Sequence, residues 1–310
     1  MKVSHCPEDL WKQYCEEDKC CTFFQTPEWH QTAAKYTHAK IIPILFSWNE
    51  HQCVLPLLKS HRFLFTYYFS PFGTYSDLIT PKPLLDYQIK EISSFLKNKN
   101  VLLFSSPFST NHLPLARPVS NSTYVVKLKL LDPNKVFKNW RKGHKDNLRM
   151  GIKKGVKVRL ANSVKDLKCY YELYQDTVKH WGSTARTNYD FSLFEDIWNQ
   201  LIPSGKAKLW LAEAENQILY GVIVFYHQNH AVAWNSASSH AHLRYYASQV
   251  IYHDIIAHAL KHNFDIFDFN PSGGLEGVTK FKLGFGTEEL PFINYFSSSP
   301  LFRLWQKIRG

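Results

Sequence analysis

Two apolar hairpins, one in each half of the chain, constrain the fold more than any other feature of the sequence. Residues 41–47 and 52–58 are apolar runs joined by a short polar turn, and residues 209–214 and 220–226 repeat this arrangement in the second half. Such runs predict pairs of antiparallel strands. The repeat is one of architecture rather than of sequence identity, so the sequence predicts two halves with similar folds.

The length and composition of the chain agree with two folded halves. Its 310 residues exceed one ordinary globular core, and a content of 45% hydrophobic and 20% charged residues excludes a disordered chain. Predicted strands alternate with predicted helices, which indicates an α/β fold with mixed (α+β) sheets. We predict two domains, residues 1–133 and 134–310, with the donor and catalytic site in the second. The further predicted strands are 65–69, 101–105, 124–131, 156–160, 231–238 and 264–269, and the predicted helices are 84–97, 163–180, 190–202 and 248–263 with Ser248 as its N-cap.

Positive charge is concentrated in one segment of the chain. The formal net charge is +11, and residues 135–159 contain ten Lys or Arg residues and one acidic residue. From residue 134 the apolar positions follow helical spacing, which predicts a basic amphipathic helix with Phe137, Trp140, Leu148 and Ile152 near one face. Such a segment favours binding of a polyanion, such as RNA, nucleotide phosphates or an anionic lipid headgroup. A solvated helix face is the alternative interpretation.

Neither a membrane anchor nor a metal site is predicted. No apolar run approaches the roughly 18–20 residues of a membrane span, and the first residues lack the apolar core of a signal peptide. The six cysteines include no C-x-x-C pair, which argues against a zinc site and favours reduced thiols. We therefore expect a cytoplasmic protein with no transmembrane segment and no metal, for which peripheral membrane contact stays open.

The predicted element order of the second half resembles the core of the GNAT acyltransferase fold. In that fold two adjacent parallel strands separate, and a donor group lies between them with its phosphates at the start of the following helix. The corresponding strands here are 231–238 and 264–269. The loop 239–248 contains no glycine, whereas acetyl-CoA enzymes of this kind have a glycine-rich loop. Arg244 and the backbone amides after Ser248 would still bind a phosphate.

The stretch from Phe267 to Gly286 resembles a more specific family. It places Asp268 and Asn270 at the end of a strand, continues with a glycine loop and ends in FKLGFG. Together with FQTPEW at 24–29 and the basic entry at 140–158, it is similar to the FemABX family, the aminoacyl-tRNA-dependent transferases that build peptidoglycan cross-bridges, and to the related CelD/BcsL-like acyltransferases. The resemblance implies two tandem GNAT-like acyltransferase domains. The chain has no room for a long coiled-coil arm, so it resembles the armless members.

This resemblance implies roles for individual residues. Lys282 corresponds to a lysine near the reacting carbonyl, where an ammonium group would stabilise the oxyanion formed when an amine attacks an ester or thioester. The alternative is a surface lysine whose stem packs between two phenylalanines. Lys280 points to the same side if the segment is extended, which makes it a second candidate phosphate ligand. Asp268 would either accept the proton of the acceptor amine or only cap the glycine loop.

The remaining candidates bind the acceptor or a polyanion. Arg186 and Tyr189 lie between two predicted helices, where the family places its acceptor-side surface. The candidates from the basic segment are Lys138, Arg141, Lys145 and Arg149.

The expected function is N-acyl transfer by direct attack of an amine on an activated donor. No nucleophile elbow, catalytic cysteine signature or P-loop is present, which argues against a covalent acyl-enzyme. We expect no tightly bound cofactor, aminoacyl-tRNA or acyl-CoA as the co-substrate, and a small-molecule or lipid-linked amine, such as a cell-wall precursor, as the acceptor. The alternative is a non-catalytic module that binds RNA or another anionic ligand on the same fold.

Overall fold

The computed structural model describes residues 1–62, 64–111, 113–115, 118–132, 136–185, 187–300 and 302. Internal contacts divide the chain into two compact units, Met1–Ser122 with the segment from Pro291 onward, and Thr123–Leu290. The predicted domain boundary between residues 133 and 134 lies outside the described residues and stays a prediction.

The strands and helices alternate as predicted for an α/β fold. In chain order, the described strands are β1 (Lys2–His5), β2 (Lys40–Ser47), β3 (Gln52–Arg62), β4 (Phe65–Phe69), β5 (Asn100–Phe104), β6 (Pro118–Lys127), β7 (Lys157–Leu160), β8 (Ala207–Ala214), β9 (Gln217–His227), β10 (His230–Ser238), β11 (Ile266–Asp268) and β12 (Glu288–Ser297). The described helices are α1 (Glu8–Glu17), α2 (Pro27–Thr37), α3 (Asp86–Leu96), α4 (Lys142–Lys153), α5 (Val164–Trp181), α6 (Phe191–Asp196), α7 (Ala247–Lys261) and α8 (Glu276–Leu283). Judged by length and hydropathy, none of these helices could cross a membrane.

The two units have the same strand order. In the first unit the order is β1, β2, β3, β4, β5, β12, and in the second it is β7, β8, β9, β10, β11, β6. In each unit the fourth and fifth strands, β4 with β5 and β10 with β11, are parallel, and the other described pairs are antiparallel. The two hairpins predicted from sequence are β2–β3 and β8–β9, so the predicted architectural repeat is confirmed.

The basic helix is shorter than predicted. It was expected from residue 134, but α4 begins at Lys142. Trp140 and Leu148 are buried as predicted, whereas Ile152 is 58% exposed. The reason is the approach of α4 to α7 through Gly151, where an added Cβ would lie 2.6 Å from the Val250 side chain. Ile152 therefore lies beside this contact rather than in it.

The FKLGFG segment is helical where we considered an extended strand. Phe281 and Phe285 are four residues apart, which is helical spacing, and their rings both contact Tyr252. Helix α8 ends at Leu283, and the two glycines that follow it, Gly284 and Gly286, allow close packing against residues before α4 or in its first turn. A Cβ at Gly284 would lie 2.3 Å from the His144 ring. Gly286 has φ 69° and its added Cβ would lie 2.5 Å from the Asn139 carbonyl oxygen.

We predict that Gly286→Ala lowers the free energy of unfolding by about 2–3 kcal/mol, because the left-handed conformation disfavours a side chain and the backbone oxygen cannot move away easily. Gly143→Ala in the exposed first turn of α4 is the control, since its Cβ would meet nothing within 4 Å. Chemical denaturation of both variants measures the difference. Equal stabilities would contradict this account of the motif.

Candidate active site

The cavity of the second unit opens where β10 and β11 separate. The two strands pair over three positions only, from His230 with Ile266 to Val232 with Asp268. Beyond this point β10 continues to Ser238 beside β9, whereas β11 ends at Asp268. The gap predicted between these parallel strands is therefore present.

A β-bulge shapes the wall of this gap. Trp234 has no counterpart in β9, because the register shifts between Ala233 and Asn235. The hydroxyl of Tyr170 on α5 donates hydrogen bonds to the backbone and side-chain oxygens of Asn235, which fixes the bulge. Because a bulge bends its strand, Trp234 and Asn235 both line the cavity.

The cavity extends to both faces of the sheet. An added Cβ at Gly221 of β9 would lie 2.4 Å from the ring of Tyr170 on α5, whereas the ring of neighbouring Tyr220 contacts Tyr252 on α7. Helices α5 and α7 therefore pack on opposite faces, since successive strand residues alternate. The cavity has a volume of about 700 Å³ and is lined by both helices, by β10, by residues 269–278 and by α8. Its aromatic lining residues are Tyr174, Trp181, Tyr220, Trp234, Tyr246, Tyr252, Phe269 and Phe281.

Lys282 is the cationic side chain of the cavity wall. It lies on α8 and is 8% exposed, and its ammonium group donates hydrogen bonds to the carbonyl oxygens of Asn270 at 2.6 Å and Pro271 at 3.0 Å. Burial lowers the pKa of Lys282 to about 7, and the Asp268 carboxylate opposes part of that shift. The ammonium group thus faces the cavity wall instead of bulk solvent, and it is near its titration midpoint at neutral pH.

Asp268 lies at the end of β11 and is fully buried. Its Oδ1 accepts hydrogen bonds from the Thr123 hydroxyl at 2.6 Å and from the backbone N–H of Asn270 at 2.7 Å. Asn270 has φ 64°, so this second hydrogen bond holds a left-handed turn at the start of the 270–275 loop. Asp268 is not among the described residues that line the cavity. This geometry is that of a loop cap, while its role as a proton acceptor stays a prediction.

The predicted phosphate-binding residues occupy three different environments. Ser248 lines the cavity but is not the N-cap of α7. Tyr246, two positions earlier, is the N-cap, because the 3-10 turn at His240–Tyr245 leads into its left-handed conformation. Arg244 is exposed over the Tyr245 ring. Lys280 is exposed and forms an ion pair with Glu276 one helical turn away, since α8 turns it away from Lys282.

The polyanion candidates lie apart from the cavity wall. Lys138, Arg141 and Arg149 are exposed, and Arg149 forms an ion pair with Asp146. Lys145 is half-buried, and its ammonium donates to the Lys138 carbonyl oxygen at 2.7 Å. From α4, the described lining includes only Asn147.

Of the two acceptor-side candidates, the structure describes only Tyr189. Tyr189 packs against cavity residues, with its ring stacked on Tyr174 and Trp234. Arg186 lies outside the described residues, and its role stays a prediction.

A group of hydroxyls in the cavity was missed by sequence reasoning. Tyr220 and Tyr252 line the cavity together with Ser236, and the two tyrosine hydroxyls share hydrogen bonds with this serine and with each other. Burial raises the pKa of both tyrosines, so they stay neutral. Tyr220 lies in the apolar run of β9 and Tyr252 in that of α7, and only the packing of β9 against α7 brings them together. No sequence motif could have indicated this.

The first unit has a corresponding pair of parallel strands, but hydrogen bonds close the gap between them. Strands β4 and β5 pair over three positions, from Tyr67 with Asn100 to Phe69 with Leu102. Beyond them, the Ser70 N–H donates to the Leu102 carbonyl oxygen at 3.0 Å, and the Ser70 hydroxyl oxygen accepts from the Phe104 N–H. These bonds join the chain across the position that corresponds to the gap of the second unit.

Comparisons with known proteins agree with this architecture. Residues 134–283 match the Acetyltransferase (GNAT) domain family. The crystal structure of FemX superposes with a TM-score of 0.73 at 13% identity, covering 98% of this chain and 99% of that chain. The structure of L-PGS from Bacillus licheniformis has a TM-score of 0.60 at 10% identity, covering 99% of this chain and 97% of that chain. A tandem GNAT protein from the clavulanic acid biosynthesis pathway has a TM-score of 0.53 at 8% identity, covering 95% and 96%. Among curated protein sequences, none matches.

The chain thus consists of two tandem GNAT-like folds of mixed α/β class, as predicted. The match to the GNAT domain family covers residues 134–283, just under half of the chain, and the fold of the whole chain is similar to that of FemX.

We predict that the stability contributed by Lys282 depends on pH. Its pKa is about 7 in the folded protein and 10.5 ordinarily, so between these values the unfolded state binds the additional proton. The stability of the wild type relative to Lys282→Met therefore rises with pH in this window, by roughly 2 kcal/mol between pH 7 and 9. Denaturation at several pH values measures it.

Lys168→Met on exposed α5 surface is the control, and its stability difference from the wild type should not change with pH in this window. A Lys282→Met difference that is constant from pH 7 to 9 would show that the Lys282 ammonium is solvated.

Proposed function

We propose that the second unit catalyses N-acyl transfer, in which a neutral amine attacks the carbonyl carbon of an activated acyl or aminoacyl donor. Attack forms the C–N bond and places negative charge on the carbonyl oxygen. Collapse of this intermediate breaks the ester C–O or thioester C–S bond, and the proton lost by the amine leaves with the alkoxide or thiolate. The observation that carries the proposal is the buried Lys282 ammonium beside the gap between β10 and β11.

The hydrogen bonds of Lys282 suit this role. An ammonium group has three N–H donors, and two of them bind the carbonyl oxygens of Asn270 and Pro271. The third is available for an oxyanion in the cavity, and it exists only in the protonated form. Because the two protein acceptors fix the position of the group, it does not have to reorganise when charge develops. Asp268 supports this arrangement by holding the Asn270 backbone.

No covalent enzyme intermediate is part of the proposal. The described residues that line the cavity include serine and threonine hydroxyls but no cysteine. His242 hydrogen-bonds to the Ser239 hydroxyl at 2.8 Å, but the described lining of the cavity contains no carboxylate to orient that histidine. Direct attack by the acceptor amine requires no such nucleophile.

We favour aminoacyl-tRNA as the donor, with acyl-CoA as the alternative. The exposed cations of α4 offer a surface for a nucleic-acid backbone. The 239–248 loop lacks glycine. The Lys154 ammonium fixes this loop by donating a hydrogen bond to the Arg244 carbonyl oxygen at 2.6 Å. That loop is therefore less open to a pyrophosphate than a glycine-rich one. Ser248 would then contact the donor inside the cavity, whereas the exposed Arg244 and Lys280 would bind donor phosphates only outside it, with no tightly bound cofactor.

The acceptor in this proposal is an amine on a small molecule or on a lipid-linked cell-wall precursor. A FemX fold supports this class, and the exposed basic surface of α4 would allow peripheral contact with an anionic membrane. We place the reaction in the cytoplasm, where charged tRNA and acyl-CoA are available.

We predict that Lys282→Gln lowers kcat/KM for acyl transfer to an amine by about 100-fold, because it removes one preorganised cationic donor. Transfer of labelled acyl groups from charged tRNA and from acyl-CoA, each tested with bacterial membranes and soluble amines, measures this and separates the two donors. Circular dichroism establishes that the variant is folded. Lys168→Gln is the control on the exposed surface of α5 and should retain activity. Full activity in folded Lys282→Gln, or salt-sensitive RNA binding with no transfer from either donor, would contradict the proposal.

We predict that the rate advantage of the wild type over Lys282→Gln falls as pH rises. The pKa of Lys282 is about 7, so its third N–H donor is lost above that pH. The free acceptor amine titrates in the same way whether the wild type or Lys282→Gln is assayed. The ratio of the two kcat/KM values therefore reports only the effect of Lys282 protonation. A pH series from 6 to 9 should show this ratio declining with a midpoint near 7. A ratio that rises with pH would instead identify Lys282 as a general base.

A further inference from the structure

Helix α8, which carries Lys282, is bound at its end by the residues that begin α4. The Arg141 N–H donates a hydrogen bond to the Gly284 carbonyl oxygen at 2.9 Å. The ring of Trp140 lies edge-on against that of Phe285, with the centroids 4.7 Å apart. Since a helix of eight residues is marginal by itself, its position depends on contacts of this kind.

His144, in the first turn of α4, adds a hydrogen bond and a packing contact to this junction. Its Nε2 lies 3.0 Å from the Phe281 carbonyl oxygen, and because a carbonyl oxygen only accepts, Nε2 carries the hydrogen. The imidazole ring is edge-on to the Phe285 ring at 4.6 Å. Burial lowers the pKa of His144 and Arg141 lowers it further, against the opposing effect of the Phe281 carbonyl, so the ring is neutral at pH 7.

The first glycine of FKLGFG leaves room for this imidazole. A Cβ at Gly284 would lie 2.3–2.6 Å from three atoms of the His144 ring. The φ of Gly284 is −63°, which any residue adopts, so lack of space rather than backbone conformation excludes a side chain here. Segments 139–144 and 281–286, which are far apart in sequence, therefore match each other in shape.

The position of α8 in turn sets the position of the Lys282 ammonium. Lys282 follows Phe281 directly, whereas the Asn270 and Pro271 carbonyl oxygens that accept its hydrogen bonds belong to the 270–275 loop. A shift of α8 relative to this loop would therefore lengthen both bonds. In enzymes, misplacement of a catalytic group by about 1 Å can lower the rate by roughly 100-fold.

We propose that His144 is a positioning residue for Lys282, which holds α8 through the Phe281 carbonyl oxygen and the contact with Gly284. His144 is not among the described residues that line the cavity, so it acts through α8 and not by touching the substrate. The catalytic consequence rests on the proposed N-acyl transfer, whereas the position of Lys282 can be measured without any transfer.

The titration of Lys282 reports its position, because burial is what lowers its pKa to about 7. In the full chain labelled with ¹³C at the lysine ε carbons, the Lys282 NMR signal is the one absent from Lys282→Met, and a series from pH 6 to 10 gives its midpoint. His144→Leu removes the donor and places a branched side chain against Gly284. It should raise the midpoint by at least about one pH unit, because the ammonium leaves its buried position.

His144→Gln is the conservative variant and His253→Leu the matched control. Glutamine keeps an N–H donor on an unbranched chain, so Lys282 should still titrate near 7. His253 is a half-buried histidine of α7 whose ring contacts Phe137 and Trp140, and His253→Leu should affect stability without moving the midpoint. In transfer assays kcat/KM should fall about tenfold in His144→Leu only.

A double-mutant cycle tests the match between the glycine and the imidazole. Gly284→Ala should destabilise the protein and raise the Lys282 midpoint, because its methyl group meets the His144 ring. In a His144→Ala background the ring is absent, and most of the additional effect of Gly284→Ala should disappear. Chemical denaturation and the same NMR titration measure both.

Two results would overturn the proposal. One is a Lys282 midpoint near 7 in folded His144→Leu, or in folded Gly284→Ala if the leucine variant does not fold. The other is an effect of Gly284→Ala that is equal with and without the imidazole. Both differ from failure of the proposed function: a protein that transfers no acyl group, but whose Lys282 midpoint depends on His144 as described, would remove the transferase and retain the positioning.

Discussion

The candidate site depends on the short pairing between β10 and β11. These parallel strands pair over three positions. Beyond them, β10 continues beside β9, whereas β11 ends at Asp268. Backbone groups that would have bonded across the sheet instead border a cavity of about 700 Å³. The bulge at Trp234 bends β10, so that Trp234 and Asn235 both line the cavity. A hydrogen bond from the Tyr170 hydroxyl on α5 fixes the bulge. In the first unit, Ser70 bonds across the corresponding position. One topology thus gives an open gap in one unit and a joined one in the other.

Lys282 occupies this gap at an electrostatic cost. Its burial disfavours the charged form, and two backbone carbonyl oxygens together with the nearby Asp268 carboxylate offset only part of that cost. Such a group is costly for stability, and in the proposed reaction its remaining N–H donor would bind the oxyanion in the cavity. The same burial that lowers the pKa of Lys282 would lower the pKa of an amine bound in the cavity. A single environment then prepares both the electrophile and the nucleophile.

Much of the fold followed from sequence, because hairpins and alternating elements leave periodic patterns. Strands β2, β8 and β10 were predicted to within two residues at each end. In contrast, β3 extends four residues beyond its predicted end, β9 begins three residues before its predicted start, and β11 is three residues shorter than predicted. The lysine of FKLGFG was identified through a family resemblance, but its helix was not, since one pair of apolar residues at helical spacing, Phe281 and Phe285, is too short a pattern to distinguish a helix from a strand. The aromatic wall at Tyr174, Tyr189 and Trp234 joins residues from two helical regions and a bulge. Tyr189 was a candidate through the family resemblance, but nothing in the local sequence indicates that Tyr174 and Trp234 lie beside it, and long-range packing alone brings the three together.

The central claim is that the gap between β10 and β11 seats the reacting carbonyl next to Lys282. A crystal structure with a hydrolysis-resistant donor analogue, carrying an amide in place of the reactive ester, tests this most directly. The account predicts the analogue's carbonyl oxygen about 3 Å from the Lys282 ammonium nitrogen, inside the gap. An analogue bound elsewhere, or a carbonyl in the gap with Lys282 still bonded only to the Asn270 and Pro271 carbonyl oxygens and out of reach, would contradict it.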